Sequence, residues 1–129
     1  MLKPEQLLAV ARWVSDPKYS AWEICKPPYR SDHGVWQSGG GDHWRRFNPL
    51  ADTTEGKAQL MDVWVKLLTC DKIYASWGGY FVTTQLVPSP TLSDPDYQTF
   101  NCVSKDGSRR DAAAILEAAS YAIERGMVK

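Results

Sequence analysis

The stretch KIYASWGGYFVTTQLV, residues 72–87, limits the fold more than any other, because it holds two β-rich runs on either side of a Gly-Gly pair. A two-residue hairpin turn needs positive φ, which glycine reaches without strain, so the pattern predicts an antiparallel hairpin turning at Gly78 and Gly79. YQTFNCVS, 97–104, predicts a third strand, closed by a turn at Lys105-Asp106-Gly107. Between them lies a proline-rich loop, 88–96.

Three helices flank these strands. In 4–15, Pro4 stands at a first helical position with Glu5 behind it, and Leu7, Leu8, Ala11 and Val14 make one apolar stripe. Asp16-Pro17 ends that helix, since the residue before a proline is pushed out of helical geometry. From Thr53 to about Thr69, Met61, Trp64, Val65 and Leu68 recur at helical spacing, with Leu60 and Leu67 widening the face that is expected to meet the core. Asp52 with Glu55 resembles its capping box. A last helix is expected to follow a cap at Ser108, with Ala112, Ile115, Leu116, Ala119 and Ile123 inside and an end near Gly126.

Residues 19–26 and 33–37 alternate as two short strands. Trp22 and Ile24 share one face, and Trp36 is expected near Trp22 across the pair. The order is then α-ββ-α-βββ-α in one domain, 1–129, of the α+β class with an antiparallel sheet.

Fifteen basic and fifteen acidic residues leave no net charge, which argues against a protein that grips nucleic acid over its whole surface. A local basic patch stays compatible with that balance. No run approaches the roughly 18 apolar residues of a membrane span, and no secretory signal is read at the N-terminus, so a cytoplasmic location is expected. Cys25, Cys70 and Cys102 are widely spaced, as free packed thiols would be rather than a disulfide framework.

Four places carry residues of chemical interest. The glycines at 39–41 lack the following helix of a phosphate loop, and Asp42 would repel the phosphate. His33, Asp42 and His43 are weak candidate metal ligands that match no compact zinc template, so no cofactor is expected. Trp44-Arg45-Arg46-Phe47 combines flat rings with two guanidinium groups, a composition enriched at protein interfaces and also suited to stacking on single-stranded nucleic acid. The competing reading of those four residues folds Trp44 and Phe47 onto the core and leaves the arginines in water. In the 93–97 stretch, Asp94, Asp96 and Tyr97 complete the candidate contact set. The residues assemble no catalytic set, and nothing visible orients either histidine as a base.

The segments PEQL (4–7), Phe47-Asn48-Pro49 ahead of the second helix, and the alanine-rich RRDAAAILEAASYAIERG resemble the phage α-β-α sandwich domain family, small bacteriophage and prophage proteins. The resemblance spans nearly the whole chain, and the chain departs from it in longer segments at 39–41 and 88–96. It implies a three-layer α/β/α sandwich with helices on both faces of an antiparallel sheet. It implies no reaction and carries over no catalytic residues. The expectation that follows is a phage-type accessory protein in the host bacterial cytoplasm. It would bind a host protein without a membrane or nucleic-acid partner and inhibit a defence system in an anti-CRISPR-like way. The alternatives are a metal-dependent enzyme or regulator on His33, Asp42 and His43, and a single-stranded nucleic-acid binder.

Overall fold

Pro4 opens the first helix because a helix start leaves its N–H unpaired in any case. In the computed structural model, which describes residues 2–15, 22–25, 34–38, 44–70, 73–86 and 98–126, this helix, α1, runs Pro4–Val14. The Lys3 amide donates to Gln6 Oε1 at 2.9 Å. At the other end, Ser15 Oγ donates to the Ala11 carbonyl (2.8 Å) and accepts from Trp22 Nε1 (2.7 Å), which fastens the helix to β1, Trp22–Cys25.

β1 pairs antiparallel with β2 (Gly34–Ser38), which pairs antiparallel with β3 (Trp44–Arg46). The register places Trp22 opposite Gln37 and Glu23 opposite Trp36. Facing side chains share a sheet face, so Trp22 and Trp36 point to opposite faces and do not meet as the alternation had implied.

The second helix, α2, runs Thr54–Leu68, and its cap is Thr53, whose Oγ1 accepts from the Gly56 amide at 3.0 Å. The expected Asp52–Glu55 box is not formed, and Glu55 turns instead to Arg45. Gly56 is required by sterics. A Cβ there would lie 2.5 Å from the Ala51 carbonyl oxygen and 2.9 Å from that of Asn48.

The buried face of α2 comprises Gly56, Gln59, Val63, Trp64 and Leu67. Met61, Val65 and Leu68, read from the sequence as core, are 45%, 51% and 48% exposed. The helix carries two apolar stripes, and periodicity alone merged them.

β4 (Ile73–Trp77), β5 (Phe81–Leu86) and β6 (Gln98–Asn101) form a second antiparallel sheet in that order. The expected hairpin is present, but the Gly78 amide donates to the Phe81 carbonyl at 2.9 Å, so the turn centres on Gly79 and Tyr80. The left-handed glycines among the described residues are Gly107 and Gly126, at turns after β6 and after the last helix.

That helix, α3, runs Asp111–Glu124, and Ser108 does not cap it. Both the amide and the hydroxyl of Ser108 donate to Asp106, at 3.0 and 2.7 Å, inside the turn. Six alanines and a glycine-free interior let α3 lie against α1, α2, β5 and β6 at once, while α1 covers β1 and β2 and α2 packs on β4. Leu67, Ile115 and Leu116 are fully enclosed there, each stabilising by roughly 1.5–3 kcal/mol through burial.

The α+β class and the chain order stand, with Trp44–Arg46 as one further short strand and the strands shared between two three-stranded sheets. No helix among the described residues is long and apolar enough to cross a membrane.

Candidate protein-binding site

Residues 44–46, part of the expected contact patch, form an edge strand of the first sheet. Phe47 continues its ladder by donating to the Val35 carbonyl at 2.9 Å. The alternation of antiparallel bonds then turns the amide and carbonyl groups of Trp44 and Arg46 to the outer edge. The Arg46 carbonyl is taken there, accepting from Gln59 Nε2 at 2.8 Å, while Gln59 Oε1 accepts from the Asn48 amide at 2.7 Å. One buried glutamine on α2 thereby fixes both the end of β3 and the turn that follows. Nothing in the local sequence pattern marks Gln59 for this task, since a lone glutamine on an apolar helix reads as exposed.

Arg45 and Arg46 leave β3 on opposite faces, as neighbours in a strand must. The Arg45 guanidinium lies 5.9 Å from the centre of the Trp22 ring and donates to Glu55 Oε1 at 2.9 Å, with 56% of its side chain exposed. Arg46 lies 5.7 Å from the centre of the Trp36 ring. Both contacts fall within the ~6 Å reach of cation–π attraction, and each ring is buried by the fold, so each arginine rests on a fixed support. The exposed Arg45–Glu55 pair adds no more than about 1 kcal/mol, because water screens it.

Phe47 is not a contact residue. It is 2% exposed and meets Trp22 edge-on, ring centres 5.6 Å apart, as an anchor under the strand. Trp44 is half-buried, and its Nε1 has no hydrogen-bond partner among the described residues. The structure thus keeps the arginines of the expected patch at the surface and withdraws one of its rings. His33, Asp42, His43, Asp94, Asp96 and Tyr97 lie outside the described residues. Among the described residues, no group of three or more His, Cys, Asp or Glu side chains stands close enough to hold a metal ion.

No family model, curated protein or solved structure matches the chain.

Beside β3, the turn and the first helical residues of α2 enclose a hollow of about 190 Å³, bounded by Arg46, Asn48, Thr53, Glu55 and Gln59. It is small, with room for about one side chain of a partner. Among the thiols, Cys102 is enclosed, and burial chiefly, with the neighbouring Asp111 carboxylate, pushes its pKa up, so it stays protonated at neutral pH. Cys70 is half-buried, its Sγ donating to the Lys66 carbonyl at 3.2 Å. Cys102 therefore lacks the depressed pKa of a nucleophile.

A second surface lies across the molecule's helical side. Met61, Val65 and Leu68 stand out from α2. Next to them, Val14, Asp62, Lys66 and Thr69 complete an open hollow of about 580 Å³ between the end of α1 and α2. Lys66 donates to the Trp13 carbonyl and lies 5.3 Å from the centre of the Trp13 ring, which holds the two helices in register.

Proposed function

We propose that the chain is a phage-type accessory protein that binds a host protein, a component of a bacterial defence system, and blocks it in the manner of an anti-CRISPR protein, with β3 as the contact strand. The observation that carries this reading is the pair of arginines displayed on the two faces of an edge strand, each supported by a buried tryptophan. Side chains held in place before binding lose little entropy on contact, and arginines over aromatic rings are frequent centres of binding energy. The phage kinship belongs to the same proposal and rests on the short motifs at 4–7, 47–49 and 109–126. Action in the host cytoplasm follows from such a target.

Nucleic acid is the weaker partner. The chain has no net charge, and the Glu55 carboxylate 2.9 Å from Arg45 would repel a phosphate. The test is phage plating on a host that carries an active defence system, with wild-type protein and with Arg45→Ala/Arg46→Ala. Wild type is expected to raise plating, and the double variant, folded as judged by its unfolding midpoint, to lose the effect. Equal protection by both proteins would remove β3 from the mechanism. No protection by wild type against any defence system tried would remove the defence target.

A further inference from the structure

We infer that the outer face of α2 is a homodimer contact in which Met61, Val65 and Leu68 pack against the same residues of a second copy of this chain.

The stripe is not needed by the fold. α2 already buries Gly56, Gln59, Val63, Trp64 and Leu67 on its other side, and Met61, Val65 and Leu68 are about half exposed. Apolar residues spaced by four and then three form a seam suited to another helix. Asp62, Lys66 and Thr69 flank the stripe with polar groups.

The seam is self-complementary, which selects a second copy as its occupant. In an antiparallel crossing of two α2 helices, Met61 of one meets Leu68 of the other, and the two Val65 side chains meet near the twofold axis. The same crossing places Asp62, which has no ion pair among the described residues, beside Lys66 of the second copy. Lys66 spends one donor on the Trp13 carbonyl and keeps two of its three. Antiparallel helices also set opposite dipole ends side by side.

Size sets the strength. Three half-exposed side chains with Val14 offer on the order of a few hundred Å² of surface, against about 800 Å² per partner in a standard stable interface. The dimer is therefore weak and dependent on concentration. It is independent of β3, which lies on another element.

Sedimentation velocity from about 10 μM to about 1 mM reads this directly, since weak interfaces dissociate in that range. Wild type is expected to move from the 14.5 kDa monomer toward twice that mass as concentration rises. Val65→Asp, which would bury two like charges at the axis, is expected to weaken dimerisation at least about tenfold, with an unchanged unfolding midpoint. Asp62→Lys is expected to weaken it less and in a salt-dependent way. A wild-type mass constant over the whole range would overturn the inference, and so would dimerisation undiminished in Val65→Asp. Protection of Met61, Val65 and Leu68 by a different protein while the chain stays monomeric would assign the face to that partner and equally overturn it.

Discussion

Gly56 and Asp106 show how much single residues settle. At Gly56 the chain turning out of β3 comes so close to the first turn of α2 that any Cβ would press on two carbonyl oxygens. Backbone atoms cannot step aside as a flexible side chain can, so Gly56→Ala is expected to lower stability by about 1–3 kcal/mol in urea unfolding. Gly79→Ala, where nothing lies within 4 Å, should be nearly silent in the same measurement. Asp106 accepts from both Ser104 and Ser108, and these bonds hold its carboxyl at about 2, below the ordinary 3.8. A depressed carboxylate stabilises the folded state above its unfolded pKa. That contribution fades as pH falls from about 4 through about 2. Carboxyl chemical shifts should show Asp106 titrating near pH 2, and Asp106→Asn should flatten the acid dependence of stability in that window.

Secondary elements were partly legible in the sequence, and the misreadings have specific causes. α1, α2, α3 and the β4–β5 hairpin announce themselves through Pro4, the helical spacing of apolar residues and the β-branched runs. α2 was misread in its orientation because Met61, Val65 and Leu68 obey the same period as Val63, Trp64 and Leu67, and spacing does not tell which stripe faces inward. Its cap was misplaced by one residue, since Asp52 and Thr53 are both good acceptors and only geometry shows that Thr53 reaches Gly56. Thr53→Ala should therefore cost about 1 kcal/mol in thermal or urea unfolding, and Asp52→Ala far less. β3 was hidden because three residues are too few to display alternation. The site was legible in composition, as Trp-Arg-Arg-Phe, but the supports beneath it were not. Trp22, Trp36 and Gln59 reach it from β1, β2 and α2, and no local pattern joins such distant positions.

At the scale of the whole molecule, α3 is the hub. It touches two helices and two strands, and Ala114, Ala118, Ala119 and Ala122 are all enclosed. Small side chains permit that close approach, so Ala119→Leu should strain the packing and lower stability by about 1–3 kcal/mol in equilibrium unfolding. This hub leaves β3 and the outer stripe of α2 on separate surfaces, one rich in guanidinium groups and one apolar. The account assigns recognition of a host protein to the first. Amide hydrogen exchange, compared between the free chain and its complex with a defence protein captured from the host, tests that assignment most directly. Slowed exchange is expected across residues 44–48, the strand and turn that would meet the partner. Protection elsewhere, with residues 44–48 exchanging as in the free chain, would contradict it.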